Sequence, residues 1–336
     1  MSQPAQRAYT PPPPDALPPV EPPSAGFILQ LFVVPGIIVV IIVMVYLMFN
    51  WLAQMGDDPR KYVDDLKRPS GARWQIAVNL ANALRNPRNQ ALKRDAGLAS
   101  QLASLFQSEV SSGRNEEEDV RLRVFTARAL GEFETAEGLP VLLDAAQNDK
   151  ELEVRMAALQ AIALLVSNLR ERSSSLDPTR QVMPVLLLTS RDDSASVRST
   201  AAYALGVVGG DRANARLEQM LSDTYPEVRF NAATGLARHG DVRTVEVLEE
   251  MLDPASTAGI SDEAKTAQEF KQALIIVNAL RATEQLSAQN PSADLNRLES
   301  AIEQLLKADV ETPVKMKAKE VLAVLQRRPA AATSGR

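Results

Sequence analysis

The chain has 336 residues, 45% of them hydrophobic, so it is long and apolar enough to bury a sizeable core and does not read as a disordered tail. A net charge of −5 argues against non-specific nucleic-acid binding, which needs a concentrated basic surface. The absence of cysteine removes disulfides, thiol catalysis and cysteine-held metals.

Residues 1–26 hold nine of the 21 prolines, including Pro11, Pro12, Pro13 and Pro14. Such a stretch favours extended polyproline II and cannot build a core, so it reads as a disordered tail. From 27 to 49 the chain carries no charge and only one strongly polar side chain, Gln30. As a helix this run spans about 34 Å, against a hydrocarbon core of roughly 30 Å. Tyr46 and Trp51 stand where an aromatic belt would lie. Pro35-Gly36 is a place for a kink, which membrane helices tolerate. The run is longer than the apolar core of a cleavable signal peptide and no small-x-small site follows it. The expectation is a retained transmembrane helix over 27–52.

Lys and Arg set its orientation. Arg7 stands alone before the run, whereas Arg60, Lys61, Lys67 and Arg68 follow it. The positive-inside rule then puts the remainder of the chain in the cytoplasm. Asp58-Pro59 looks like the cap and first turn of a juxtamembrane helix within 57–68.

Beyond residue 70 a ten-residue pattern recurs, V-R-x-x-A-A-x-A-L-G, written in full by Val197-Arg198-Ser199-Thr200-Ala201-Ala202-Tyr203-Ala204-Leu205-Gly206. Good copies begin at Leu122, Val154 and Val228, and weaker ones at Ala72, Phe270 and Val314. Successive starts are 31 to 50 residues apart, room for two helices and their turns. Val197, Ala201, Ala204 and Leu205 form one apolar stripe on a helix, and its alanines admit a close neighbour. Gly131, Gly206 and Gly240 are expected to end their helices as left-handed caps. Asp193-Ser194 and Asp223-Thr224-Pro226 read as starts. Apolar segments at 139–146, 182–188, 217–221 and 245–252 supply partner helices, since neither helix of a hairpin can bury its stripe alone.

The pattern resembles the HEAT repeat, specifically the short HEAT-like class first associated with phycobilin lyase subunits. The resemblance is strong over 118–253 and weaker over 70–110 and 258–326. It implies an all-α solenoid, a superhelix of about seven helical hairpins over 70–326, whose concave face binds proteins. It also implies that the partner helices line that face. By the same resemblance the pattern arginines Arg123, Arg155, Arg198 and Arg229 are junction residues paired with acids, the candidates being Asp119, Asp149, Asp193 and Asp223. Residues 327–336 read as a frayed tail.

Catalytic chemistry is sparse. His239, the single histidine, sits beside Gly240 and reads as an exposed helix-end residue, favourable near the negative end of the helix dipole when charged. One histidine leaves no place for the paired His-Glu iron sites of deoxyhypusine hydroxylase, an enzyme built from similar repeats. No phosphate-loop or dinucleotide fingerprint occurs, and the glycines of 206–210 follow a helix rather than a strand. Glu116, Glu117, Glu118 and Asp119 decorate a helix start. Glu246, Glu249, Glu250 and Asp253 lie on a predicted partner helix, as a solvated face or an acidic binding patch. Ser173, Ser174 and Ser175 read as an insertion between helices.

The expectation is therefore a non-enzymatic, membrane-anchored scaffold with no cofactor or metal. Its partners would be proteins on the concave face and the bilayer through 27–52, with no nucleic acid. The rivals are a non-catalytic subunit of an enzyme or maturation complex, and an outward-facing envelope structural protein.

Overall fold

The computed structural model describes residues 24–54, 59–68, 70–172, 179–260 and 264–328. The expectations for Pro11–Pro14, for Asp58 as a cap, for Ser173–Ser175 and for most of the 327–336 tail fall outside these residues. Two units are distinguished, Met1–Asp57 and Asp58–Arg336.

The first unit contains one long helix, α1 (Ala25–Gln54). It runs through Pro35 without a break in the helix, so the expected kink site does not interrupt it. Its apolar side chains are exposed on every face, Phe32 to 71% and Tyr46 to 69%. The stretch Ala25–Asn50 has a mean hydropathy of 3.0 and is long and apolar enough to cross a membrane.

The second unit is helical throughout its described residues. It opens with α2 (Pro59–Leu66), α3 (Arg73–Arg85), the single turn α4 (Gln90–Lys93) and α5 (Ala96–Ser111). The segment 57–68, expected as a separate juxtamembrane helix, contributes α2. This helix buries Val63 and Leu66 completely and packs on α3 and α5. Next come α6 (Glu117–Gly131), α7 (Leu139–Asn148), α8 (Leu152–Glu171) and α9 (Thr179–Thr189). They are followed by α10 (Ala195–Val208), α11 (Asp211–Met220), α12 (Pro226–Ala237) and α13 (Val245–Leu252). The series ends with α14 (Lys265–Gln289), α15 (Asn296–Lys307) and α16 (Thr312–Gln326).

The pattern helices form one layer: α3, α6, α8, α10, α12, α14 and α16. The partners α5, α7, α9, α11, α13 and α15 form the other. Six hairpins closed by a final pattern helix therefore stand where about seven hairpins were expected. In α10 the first, fifth, sixth, eighth and ninth pattern positions, Val197, Ala201, Ala202, Ala204 and Leu205, are fully buried. Two rows of small apolar side chains thus face the partner helix and the neighbouring pattern helices. Each fully buried leucine contributes about 1.5–3 kcal/mol. α8 is also apolar enough to span a membrane, at a mean hydropathy of 1.4, but it is a core helix. Its Ala158, Leu159, Ile162, Leu165 and Val166 are buried between α6 and α10.

Two expectations are corrected here. Gly131 and Gly206 are not left-handed caps, because both lie inside their helices. A Cβ at Gly131 would stand 2.7 Å from Ala161 Cα, and one at Gly206 would stand 2.6 Å from Gly235 Cα. The glycine at the tenth pattern position is a helix-crossing residue, resting on the eighth position of the next pattern helix. Left-handed backbone occurs instead at Gly209 (φ 67°) and Gly210 (φ 90°), in the turn into α11, and at Gly240 (φ 76°) as expected. The second correction is the copy placed at Phe270. Phe270 is 69% exposed, whereas Ala279, Leu280, Ala282 and Thr283 are buried. Those four occupy the fifth, sixth, eighth and ninth positions only when the copy begins at Ile275, five residues later.

Candidate binding trough and repeat junctions

The pattern arginines lead into the junctions. Arg198 donates from Nε and Nη2 to both carboxylate oxygens of Asp223, at 2.9 and 3.0 Å, and from Nη1 to the carbonyls of Asp192 and Asp193. Asp223 in turn accepts from the Tyr225 amide at 3.0 Å, shaping the turn that starts α12. Burial draws the Asp223 carboxyl upward, but the Arg198 and Tyr225 hydrogen bonds and the charges of Arg198 and Arg216 hold it below the ordinary aspartate value. The Asp223 hydrogen bond raises the Arg198 guanidinium in return.

The other copies repeat this device. Arg123 lies 3.2 Å from Asp149, with both side chains almost wholly buried. Arg155 meets Asp192 at 3.3 Å, and Arg229 meets Glu250 at 2.5 Å. Two of the four expected acids, Asp149 and Asp223, are the partners found. Asp193 is replaced by its neighbour Asp192, whose carboxylate also accepts from the Ser194 amide at 2.9 Å. Asp119 is not the partner of a pattern arginine; it faces Arg114. Arg123, Arg155 and Arg198 each tie their own turn to the turn that leads into the next pattern helix, whereas Arg229 ties its turn to α13 of the same hairpin. The role is positional rather than that of a ligand row.

Helix C-termini are closed by neighbouring repeats. From α8, Asn168 donates back to the carbonyls of Gly131 and Phe133 at the end of α6, and Arg170 donates forward to those of Val207 and Val208 at the end of α10. His239 is exposed, and its Nε2 lies 2.9 Å from the Gly206 carbonyl. A carbonyl only accepts, so Nε2 is the protonated nitrogen and His239 closes a neighbouring helix end. Among the described residues no group of three or more His, Asp or Glu side chains is placed to hold a metal ion.

The seventh pattern positions, Arg128, Gln160, Tyr203 and Thr234, gather with their neighbours on one surface. A depression of about 540 Å³ is lined by Arg85, Arg128, Glu132, Gln160, Leu164, Thr200, Tyr203 and Asn231. A second, of about 410 Å³, shares Tyr203 and Asn231 and continues to Phe230, Thr234, Arg238, Ile275, Asn278, Arg281 and Gln285. Together they make one trough touched in turn by α3, α6, α8, α10, α12 and α14. Both depressions open on the pattern-helix layer. Pattern helices approach one another more tightly than partner helices do, most closely at Gly131 and Gly206.

The trough lies on the pattern layer, not on the partner helices that were expected to carry the binding face. Glu246, Glu249, Glu250 and Asp253 face a separate groove between α13 and α15 in the partner layer. Glu249 is paired there with Arg297, and Glu250 with Arg229. Two of the four acids are thus engaged by arginines, one across to α15 and one within its own hairpin.

The trough wall is half polar. Arg85 donates from Nε and Nη2 to Glu132, at 3.0 and 2.8 Å. Trp74 stacks on Phe125 with ring centroids 5.9 Å apart, Arg121 lies over Trp74, and Arg128 lies over Phe125 at 5.2 Å. Tyr203 is 41% exposed at the centre. Reading the sequence for shared residues missed this surface, because its members are the positions at which the copies differ. The signal was present as the fourth, seventh and eleventh places of each copy: Thr200 and Tyr203 in α10, and Asn231, Thr234 and Arg238 at α12.

Matches to family models fall on these same elements, to HEAT repeats over 183–264 and to a HEAT repeat over 139–169. The chain carries HEAT repeats. Comparison with curated proteins finds no match. Among solved structures, an archaeal HEAT-like repeats protein from Thermococcus onnurineus is 14% identical with a TM-score of 0.44, over 80% of this chain and 96% of that one. A designed armadillo repeat protein in complex with peptide (KR)4 is 16% identical at a TM-score of 0.38, over 80% and 100% of the two chains. Human deoxyhypusine hydroxylase in complex with glycerol is 18% identical at 0.32, over 81% and 96%. The HEAT repeats account for the two-layer stack.

Proposed function

We propose that this protein is a membrane-anchored HEAT-repeat scaffold that holds a protein partner along its inner trough, without catalysing a reaction. The carrying observation is that the positions at which the copies differ converge on one continuous surface across six pattern helices, with Tyr203 at its centre. Packing needs the pattern's Val, Ala and Leu; it does not need these. Exposed aromatic and arginine side chains in a concave setting are the residue types that dominate protein interfaces. The anchor reading is supported by the charge-free apolar stretch of α1, which would leave a large hydrophobic surface in water. Tethering raises the effective concentration of the trough for partners at the membrane. The Lys/Arg excess after α1 favours the cytoplasmic side for the repeats.

A photo-crosslinking amino acid placed at Thr200, in the trough, tests the binding face. The expected result in native membranes is a discrete protein adduct from Thr200 and none from the same probe at Arg212 on α11. Adducts from Arg212 alone would overturn the reading. For topology, a reporter active only in the cytoplasm is fused after Arg336; a stable but inactive fusion would place the repeats outside.

A further inference from the structure

The arginines of this molecule fall into two groups. The four pattern arginines are each paired with a carboxylate. Along the trough, Arg128, Arg238 and Arg281 have no carboxylate within ion-pair distance among the described residues, although all three line its wall. Of the trough's own carboxylates, Glu132 is buried and held by Arg85, which leaves the exposed Glu227 against three unpaired guanidiniums. An acidic protein thus carries a locally basic inner surface. Between the charges stand partly exposed apolar groups, Leu164 at 37% and Tyr203 at 41%.

We infer that the trough takes an extended acidic peptide with interspersed apolar side chains. This deepens the scaffold reading above and rests on it. The planar guanidinium fork matches a carboxylate in two parallel hydrogen bonds, and an arginine stacked on an aromatic ring, as Arg128 is on Phe125, is held ready for it. From α6 to α14 the pattern layer takes four helix-to-helix steps, about 36 Å at about 9 Å each. An extended chain covers that distance in about eleven residues. Carboxylates at the two ends would meet Arg128 on one side and Arg238 with Arg281 on the other, while the middle of the peptide lies over Leu164 and Tyr203.

The test uses the full chain in nanodiscs and three fluorescein-labelled probes: an alternating glutamate–leucine dodecapeptide, its lysine–leucine counterpart and a twelve-nucleotide oligothymidine. The glutamate–leucine peptide is expected to bind, and to bind less as salt rises. The combined variant Arg128→Gln, Arg238→Gln, Arg281→Gln should weaken it about tenfold or more. Arg212→Gln, on the outer layer, should leave it unchanged. Circular dichroism melts establish that the triple variant is folded, and the reversed variant Arg128→Glu, Arg238→Glu, Arg281→Glu should transfer preference to the lysine–leucine peptide. Undiminished binding to the folded triple variant, or equal binding of the lysine peptide or the oligonucleotide by the native chain, would overturn the inference. A lysine–leucine peptide that crosslinks at Thr200 would sink the acidic preference and leave the scaffold reading intact. No adduct at Thr200 with any peptide or native protein would remove both.

Discussion

Arg123 and Asp149 form the most deeply buried junction pair, at 2% and 3% side-chain exposure. Removing one member of a buried pair strands the other charge in a dry site, so Asp149→Asn or Arg123→Ala is expected to destabilise by about 3–5 kcal/mol in urea unfolding. A loss below about 1 kcal/mol would show that the junction is not held by charge. Gly206→Ala is the second test at this scale. In an ordinary helix interior the change would stabilise by about 1 kcal/mol. Here the new methyl meets the Gly235 backbone at 2.6 Å, so a net loss of about 1–3 kcal/mol is expected. Acid exposes the junctions as well. Asp223 and Asp241 are both held below the usual aspartate value in the folded chain, so their stabilising share is complete above the unfolded value of about 4 and disappears as pH falls through the lower folded values. Asp223→Asn should flatten that acid limb of a thermal melt series.

α1 and α8 are both helices of lipid-spanning length and apolarity, and their surroundings separate them. The apolar residues of α8 are covered by α6, α7 and α10, whereas those of α1 are exposed within its own unit. Ile41→Lys combined with Val43→Asp should therefore release the full chain from the membrane fraction on flotation. The matched change Leu159→Lys, at a fully buried position of α8, should abolish folding instead. A chain that still floats with α1 doubly charged would remove the anchor.

At the scale of the whole molecule, α12 is the seam between two apolar clusters. Its Val228, Ala232 and Leu236 pack with the stretch from Val63 onward, and its Phe230, Ala233 and Ala237 with the stretch to Leu325. Contacts in such a stack run between neighbours, so damage stays local. Leu280→Ala, at a fully buried site of α14, should cost about 2–5 kcal/mol. In hydrogen exchange it should loosen α13 to α16 and leave α6 to α8 protected. Uniform acceleration along the chain would contradict a nearest-neighbour stack.

The sequence by itself determined the helical class, the repeat and the apolar run of α1, because each is written as a local period of small and apolar residues. It also named Arg123, Arg155, Arg198 and Arg229 as junction residues, and two of their acids. Only the tertiary structure decided that the tenth-position glycines are crossing points, that the copy near Phe270 starts at Ile275, and that the trough lies on the pattern layer. The reason is common to all three. A stripe shows that a helix face is buried, but not which neighbour covers it or how closely. That distance, set where Gly131 meets Ala161 and Gly206 meets Gly235, fixes how closely the pattern helices stack and so which of the differing positions share the trough.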